Sequence, residues 1–291
     1  MSASSAWDVA ELGRFARIID AALDEDLASG DLTARLTVPA DAHASGRIVA
    51  KQDLCLSGGP LVVQTFFAVD PSVGVGCLVE DGTWVEAGTV VLTLAGNARS
   101  LLAGERTALN LLGRASAVAT LTHRYVAAAG PELRVVDTRK TMPGLRALDR
   151  YAVRCGGGHN HRNDLGSGVL IKENHIRAAG SVTAAVTAAR AHAPHTVRVE
   201  CEVETLDQLR EGLAAGADSF LLDNMDDATL REAVALVGPR GQRRISLEVS
   251  GNVTLDRLPR LAGIGLDLVS VGALTHSAPS VDLSLLFDTE G

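Results

Sequence analysis

The stretch VRVECEVETLDQLREGLAAGADSFLLDN, residues 197–224, contains one complete strand–helix–strand unit. A β-rich run at 197–203 precedes an Ala/Leu-rich amphipathic stretch at 206–215, and a second apolar run follows at 219–222. Short β-branched runs predict strands, and apolar residues three and four apart predict the helix. Because strands joined through a helix pair in parallel, this stretch predicts an α/β fold.

The same unit recurs on both sides of this stretch. No glycine-rich dinucleotide fingerprint follows any of the runs, which favours a (β/α) barrel, open or incomplete, over a doubly wound sheet. The active site is then expected at the carboxyl ends of the strands. Further strands are predicted at 133–136, 169–171, 245–249 and 268–271, and further helices at 145–153, 178–192, 228–237 and 255–262.

The first part of the chain has a different pattern. An amphipathic helix is predicted at 9–27, strands at 46–50 and 73–79, and a long helix at 101–129. Between them VEDGTWVEAGTVVLTLAG, residues 79–96, has turn glycines but no lysine at its turn, which indicates scaffold rather than a carrier hairpin. We predict an N-terminal α+β sandwich domain at 1–115, rejoined by 277–291, and a barrel catalytic domain at 116–276.

Composition excludes several classes of function. The net charge is −8 and no basic tail is present, so nucleic acid is not expected as a partner. No apolar run approaches the roughly 20 residues that span a bilayer, so no membrane partner is expected. The four cysteines form no C-x-x-C pair, which is typical of neither a disulfide framework nor a zinc ribbon. We expect a cytoplasmic location.

Basic residues concentrate in one segment of this acidic chain. Residues 137–173 contain seven Lys/Arg against four Asp/Glu. Only three of the 27 basic residues in the chain are lysine, and two of them, Lys140 and Lys172, lie in this segment. A compact ammonium serves where a planar guanidinium does not fit. We interpret the segment as an anion-binding site, with chance placement of the lysines as the alternative.

Motifs that carry chemistry follow the predicted strands. Arginines can bind carboxylates and phosphates in a bidentate way, and carboxylates suit a hard cation such as magnesium. Glu200, Glu202 and Glu204 alternate, so in a strand they point one way and at least one is not a metal ligand. The motifs are GERTALN (104–110), DTRKTMPGLRALDRYAVRCGGGHNHR (137–162), GVLIKENH (168–175), ECEVETL (200–206), LLDN (221–224), EVSGN (248–252) and SVGALTHSAPSVD (270–282).

Together these motifs resemble the quinolinate phosphoribosyltransferase family, and the match covers nearly the whole chain. Its most specific part runs from DTRKT through PGLR to NHR within 137–162. The resemblance implies an enzyme of de novo NAD biosynthesis. Such an enzyme transfers phosphoribosyl from phosphoribosyl pyrophosphate to quinolinate with decarboxylation, giving nicotinate mononucleotide, pyrophosphate and CO2.

The resemblance also implies roles for individual residues in a homodimer that uses Mg2+. The residues implied to bind quinolinate are Arg139, His161, Arg162 and Lys172, with Arg106 supplied across the interface by the partner subunit. The residues implied in catalysis are Lys140, Glu202 and Asp223, of which Glu202 and Asp223 hold the metal. The residues implied to bind the 5′-phosphate are Ser250, Gly251, Gly272 and His276.

Two alternatives stay open at the level of sequence. Asn163, Asp164 and Asn252 depart from the family pattern, which leaves room for a diverged phosphoribosyltransferase that uses another pyridine or pyrimidine carboxylate. A catalytically inactive binding paralogue is the other alternative. The presence of Lys140 and Lys172 in so lysine-poor a chain argues against an inactive paralogue.

Overall fold

The computed structural model describes residues 9–288, with side chains from residue 13 onward. These residues form two compact units, 9–123 with 141–157 and 274–288, and 124–140 with 158–273. The segment 141–157 lies in the first unit, although the sequence analysis assigned it to the barrel domain. The domain boundaries at 115/116 and 276/277 stay predictions.

Strands and helices alternate along the second half of the chain, as expected for β/α units. No helix within residues 9–288 combines the length and the apolar character needed to cross a bilayer. The first elements are α1 (Val9–Leu27), α2 (Leu32–Thr37), β1 (His43–Ala50), β2 (Leu54–Cys55), α3 (Gly59–Val69), β3 (Gly74–Cys77), β4 (Trp84–Val85), β5 (Val90–Asn97) and α4 (Ala98–Ala129). The later elements are β6 (Arg134–Val136), α5 (Arg146–Cys155), β7 (Val169–Ile171), α6 (Glu173–Ala179), α7 (Val182–His192), β8 (Val199–Val203), α8 (Leu206–Ala215), β9 (Ser219–Asp223), α9 (Asp227–Val237), β10 (Ser246–Ser250), α10 (Leu258–Ala262), β11 (Leu268–Ser270), α11 (Ala273–His276) and β12 (Leu283–Phe287).

The first unit is built on an antiparallel sheet with the strand order β12-β1-β5-β3. Ile48 of β1 and Leu92 of β5 are buried in one core with Phe66 of α3. Gly104 lets α4 approach this core, because a Cβ at that position would stand 2.7 Å from Cε1 of Phe66. β12 pairs with β1 along 46–50, so the last strand of the chain completes this sheet.

The second unit is built on a six-stranded parallel sheet with the order β6-β11-β10-β9-β8-β7. A single bridge between Val136 and His159 extends the sheet beyond β6. Among the described residues no pairing joins that edge to β7, so the prediction of an open, incomplete (β/α) barrel is confirmed. The strand predicted at 169–171 and the helix predicted at 206–215 coincide with β7 and α8.

The helix predicted at 178–192 is in fact two helices. Gly180 ends α6 with a φ of +97°, in the left-handed region that favours glycine. Ser181 then caps α7, its Oγ accepting a hydrogen bond from the Ala184 N–H at 3.0 Å. The Ala/Val pattern continues through this break, so hydrophobic periodicity did not reveal it.

The register of the parallel sheet brings polar residues from separate motifs onto one face. Residues two apart in a strand share a face. Glu202 pairs with Leu221, and Leu221 pairs with Glu248 in the next strand. Asp223 and Ser250 form the next pair toward the carboxyl ends. Two adjacent rows of acidic and hydroxyl side chains therefore lie at one end of the sheet.

Candidate active site

A cavity of about 470 Å³ opens at the carboxyl ends of the parallel strands in the second unit. Its wall contains four cationic side chains, three carboxylates and one imidazole. Convergent polar groups of this kind in a concave site are typical of an enzyme that binds ionic ligands. The lining residues are Thr138, Arg139, Lys140, His161, Arg162, Leu170, Lys172, Glu202, Leu221, Asp223, Glu248, Ser250 and Ser270.

Eight of the twelve site residues predicted from sequence line this cavity. The carboxyl ends of parallel strands meet at one edge of a sheet, which is why residues more than 100 positions apart share the wall. The eight are Arg139 and Lys140 after β6, His161 and Arg162 before β7, Lys172 after β7, and Glu202, Asp223 and Ser250 in β8, β9 and β10. The other four are Arg106, Gly251, Gly272 and His276.

An ion pair joins Lys172 and Glu202 in the wall of the cavity. Lys172 directly precedes α6, and its side chain is 45% exposed, whereas Glu202 is 13% exposed. An ammonium has three N–H donors, so one contact to Glu202 leaves donors for a ligand. The pair is therefore open to the cavity rather than sealed within the protein.

Two guanidinium groups, those of Arg139 and Arg162, line the same cavity. Nη1 of Arg162 donates to the Gly168 carbonyl at 3.1 Å, and Nε of Arg139 is buried without a hydrogen-bond partner among the described residues. Burial, and then the positive charge of Arg139, lower the pKa of Arg162, while Glu200 partly offsets them. A buried donor without a partner is costly, so this arrangement favours an anionic ligand with more than one negative charge.

His161 is held through its backbone and both ring nitrogens. Fully buried Asp137 accepts hydrogen bonds from Asn160 Nδ2 at 2.6 Å and from the His161 N–H at 2.7 Å. Nδ1 of the ring accepts from the Arg162 N–H at 2.7 Å. Nε2 lies 3.2 Å from Oε2 of Glu200.

Glu248 is a buried carboxyl in the wall of the cavity. It is 2% exposed, its Oε2 lies 3.7 Å from His161 Nε2, and its Oε1 has no hydrogen-bond partner among the described residues. Burial, followed by the charge of Glu200, raises the pKa of Glu248 to about 7, although His161, Ser270 and Lys172 oppose the shift. Ligand atoms of His161, Glu200 and Glu248 lie within 4.8 Å of one another, a spacing that a metal ion or a shared proton satisfies.

The turn after β10 is held in an unusual backbone conformation. Gly251 has a φ of +81°, and a Cβ there would stand 2.1 Å from Oδ1 of Asn224, so only glycine fits. Asn224 and Asn252 also have positive φ, +55° and +51°, which asparagine tolerates better than most residues. The Asn224 N–H donates to the Ser250 carbonyl at 3.0 Å, so the turns after β9 and β10 are joined.

Comparison with known families agrees with this geometry. The family description "Quinolinate phosphoribosyl transferase, C-terminal domain" matches residues 118–286, and the corresponding N-terminal domain matches residues 31–116. The chain belongs to the quinolinate phosphoribosyltransferase family. The family resemblance predicted from the motifs is therefore confirmed.

Curated relatives and solved structures of the quinolinate phosphoribosyltransferase family are similar over almost the whole chain. The probable carboxylating nicotinate-nucleotide pyrophosphorylase of Bacillus subtilis is 42% identical, covering 90% of this chain and 89% of that protein. The carboxylating nicotinate-nucleotide pyrophosphorylase of Mycobacterium leprae is 43% identical, covering 91% and 94%. The structure of NadC from Streptococcus pyogenes has a TM-score of 0.90 at 38% identity, covering 98% and 100%.

The remaining family residues predicted from sequence lie elsewhere in the chain. Arg106 is exposed on α4 in the first unit, where it lines a separate cavity of about 260 Å³ with Arg114 and Asp282. His276 is the exposed last residue of α11 in the first unit, with Nδ1 2.6 Å from Oγ of Ser277. Gly272 lies in the second unit, two residues after β11.

Sequence reasoning gave no role to Glu248 and Asp137, although both lay within quoted family motifs. Glu248 stands two residues before Ser250, so the period of a strand already placed the two on one face. Asp137 directly follows β6, but its burial and its contact with the His161 backbone depend on tertiary structure. Glu204 lies beyond the end of β8 and is exposed, so only two of the three alternating glutamates share the strand.

Proposed function

We propose that this chain transfers phosphoribosyl from phosphoribosyl pyrophosphate to quinolinate with decarboxylation, giving nicotinate mononucleotide, pyrophosphate and CO2. It is a pentosyltransferase of de novo NAD biosynthesis, a carboxylating nicotinate-nucleotide diphosphorylase, like its curated relatives. The observation that carries this proposal is the pair of guanidiniums in one cavity with Lys172. Quinolinate is a dianion, and three convergent cations are what its two carboxylates require.

Arg139, Arg162 and Lys172 are the residues assigned to quinolinate. The partnerless Nε of Arg139 gains an acceptor when a carboxylate enters, and the repulsion between the two guanidiniums is relieved by the same negative charge. Lys172 retains donors beyond its contact with Glu202. Binding of the diacid holds the pyridine nitrogen in place for attack on C1′ of the ribose.

Lys140, Glu202 and Asp223 are the proposed catalytic residues. As the bond from C1′ to pyrophosphate breaks, positive charge develops on the ribose ring, and the carboxylates of Glu202 and Asp223 stabilise it. Lys140, exposed at the cavity, stabilises the departing phosphate groups. After transfer the cationic pyridine nitrogen stabilises the electron pair that stays on C2 as CO2 leaves, and a proton from water then takes the place of the lost carboxylate. The residues of the chain therefore need only hold the substrate.

Glu202 and Asp223 are also the residues that fit magnesium. Both are partly exposed carboxylates in the wall of one cavity, and carboxylate oxygens are preferred ligands of this hard cation. Asp223 already accepts a hydrogen bond from Nδ2 of Asn224 at 2.7 Å, which orients its carboxylate. When bound, magnesium supplies charge neutralisation for the pyrophosphate leaving group.

The 5′-phosphate is assigned to the turn after β10 and to the residues that follow β11. Ser250 supplies a hydroxyl at the cavity, and the left-handed Gly251 leaves the backbone uncovered by a side chain. Gly272 and His276 join this set on the family resemblance. A cytoplasmic location belongs to the proposal on the same ground.

The proposal includes a homodimer in which Arg106 completes the site of the partner subunit. Its support is the exposure of Arg106 on α4 and the family resemblance. Coexpression of Arg106→Ala with Lys172→Ala tests it, because a mixed dimer then has one site that lacks both groups and one intact site. Random assortment is expected to restore roughly a quarter of wild-type activity. A mixture as inactive as its components, with mixed dimers shown to form, contradicts it.

Release of CO2 is the direct test of the reaction. Folded protein is mixed with magnesium, phosphoribosyl pyrophosphate and quinolinate, and nicotinate replaces quinolinate in the control. We expect CO2 only with quinolinate, since nicotinate lacks the 2-carboxylate that is lost. Absence of release above background contradicts the proposed function.

A further inference from the structure

Arg257 directly precedes α10 in the second unit, yet its side chain is only 13% exposed. Its Nη2 donates to the Met225 carbonyl at 2.8 Å, in the turn after β9. Its Nη1 donates to the Gly251 carbonyl at the longer distance of 3.4 Å, in the turn after β10. A guanidinium presents its donors in a rigid planar fork. One side chain therefore holds the two turns at a fixed spacing.

Asp227, the first residue of α9, anchors this guanidinium. Its Oδ1 accepts from Nε of Arg257 at 3.0 Å and lies 3.0 Å from Nη2. Burial would raise the pKa of Asp227, but the hydrogen bond and the charge of Arg257, together with those of Arg260, hold this pKa below its ordinary value. Arg260 reaches Oδ2 at 3.2 Å, although its side chain is 64% exposed. The carboxylate is therefore ionised at neutral pH and fixes Arg257 in one orientation.

The contact with the Gly251 carbonyl sets the direction of a peptide in the turn assigned to the 5′-phosphate. In a trans peptide the C=O and the following N–H point in opposite directions, and the described residues contain no cis peptide. Because the Gly251 carbonyl faces Arg257, the Asn252 N–H is directed away from Arg257. The Ser250 carbonyl is held in the same way by the Asn224 N–H at 3.0 Å, which sets the direction of the Gly251 N–H. Successive N–H groups in such a turn form a concave site for an anion.

We propose that Arg257 is a positioning residue for the 5′-phosphate of phosphoribosyl pyrophosphate. It is absent from the described lining of the active-site cavity, whereas Ser250 of the same turn belongs to that lining. Arg257 acts through the backbone of the turn after β10, and Asp227 holds the guanidinium in place. This inference rests on the proposed function, because it concerns how phosphoribosyl pyrophosphate is held.

Loss of the guanidinium is the first test. Arg257→Met keeps an unbranched apolar side chain but removes every donor. In the CO2-release assay we expect the KM for phosphoribosyl pyrophosphate to rise about tenfold, with kcat and the KM for quinolinate close to wild type, because a contact remote from the reacting atoms is lost. Arg260→Met removes the other, exposed partner of Asp227 and is the matched control, expected to behave like the wild type. If Arg257→Met lowers stability in urea but leaves both KM values unchanged, the role of Arg257 is purely structural and the proposal is overturned.

Asp227→Asn separates positioning from simple attraction between charges. If Arg257 only attracted the phosphate by its charge, removal of the neighbouring negative charge would lower the KM for phosphoribosyl pyrophosphate. If Arg257 positions the turn, loss of its anchor raises the same KM, by about threefold. Asp227 is partly exposed, so this variant is expected to fold and keeps the test available if Arg257→Met does not fold. A lowered or unchanged KM overturns the proposal.

A double-mutant cycle completes the test. With Arg257→Met in place Asp227 has no guanidinium left to anchor, so adding Asp227→Asn should leave the KM for phosphoribosyl pyrophosphate where Arg257→Met puts it. Effects that multiply show that the two residues act independently, and the proposal is then wrong. Absence of CO2 release by the wild type contradicts the proposed function instead. An active wild type with an unaltered Arg257→Met variant contradicts only the role of Arg257.

Discussion

Two buried carboxyl groups, Asp149 in the first unit and Glu248 in the second, are compensated in different ways. Asp149 is fully buried and accepts two hydrogen bonds from Arg114, at 2.9 and 3.0 Å, and one from the Met142 N–H at 3.2 Å. Glu248 has His161 Nε2 at 3.7 Å and a hydrogen bond with Ser270, but its Oε1 has no hydrogen-bond partner in the described structure.

Burial raises the pKa of both groups, but the consequences differ. At Asp149 the hydrogen bonds and charge of Arg114 oppose the shift, so the pair is closed and complete. At Glu248 the neighbouring Glu200 adds to it. A buried carboxyl whose hydrogen bonds and charge are satisfied, such as Asp149, stabilises the fold. A buried carboxyl that is incompletely satisfied and lies next to a cavity, such as Glu248, belongs to the functional site.

Removal of Arg114 gives the largest effect expected from this comparison. Arg114→Ala leaves Asp149 buried without its cation, which destabilises a protein by about 3–5 kcal/mol. Urea unfolding followed by circular dichroism measures this loss. The control is Arg177→Ala, which removes an exposed pair with Glu173 and is expected to change the free energy of unfolding by less than about 1 kcal/mol. Similar values for the two variants would contradict the structural role of the closed pair.

Removal of Lys172 is expected to affect turnover and not stability. Lys172→Ala removes a donor from the cavity and should lower kcat/KM about 10²- to 10³-fold. Because the side chain is 45% exposed, the unfolding transition should stay close to that of the wild type. Lys51→Ala, at another exposed lysine, is the matched control for both assays. An unfolded Lys172→Ala variant would mean that the ion pair between Lys172 and Glu202 is needed for the fold.

The stability of the wild type should depend on pH through Glu248. Its folded pKa of about 7 lies above the ordinary value of 4.5, so the folded state binds this proton more tightly than the unfolded state. Stability from this group is therefore full below about pH 4.5 and is lost as pH rises through 7. Glu248→Gln should flatten this decline of stability between pH 5 and 8. Glu204→Gln, at an exposed carboxylate, should leave the decline unchanged. If stability changes with pH at the same slope in the wild type and in Glu248→Gln, the pH dependence does not come from Glu248.

The smallest expected effect concerns magnesium. Asp223→Asn replaces a carboxylate by a neutral amide, a poorer ligand for a hard cation, and should raise the magnesium concentration for half-maximal activity about tenfold. Asp207→Asn, exposed on α8, is the control. An unchanged magnesium titration would remove Asp223 from the metal site.

Most elements of the second unit were predictable because their signals are local. Thr205 and Gln208 form a reciprocal cap at the start of α8, and Gly216 ends the helix in the left-handed region. Both ends of α8 can therefore be predicted from the sequence. Arg139, Lys140 and Lys172 were predictable because they follow strands whose carboxyl ends meet at one edge of the sheet. The role of Glu248 was not predictable from the sequence, because its burial and its distance to Glu200 arise from the register of three strands.

The family departure at Asn252 also has a structural explanation. Its φ of +51° lies in a region that glycine and asparagine both tolerate, so asparagine fits the turn at this position. Asp164, the acidic departure, is exposed and accepts hydrogen bonds from the Gly166 N–H and from Asn163 Nδ2. These contacts give no support to a different substrate.

The pairing of β12 with β1 has a consequence for the order of synthesis. Ser45 and its partner Asp288 are 243 positions apart, so a chain emerging from the ribosome presents β1 long before β12 exists. During that interval one edge of β1 carries unpaired N–H and C=O groups, which are a template for strands of other nascent chains. Translation that stops before residue 283 makes this edge permanent, and ribosome stalling late in the message is then a route to aggregation rather than to a shorter enzyme.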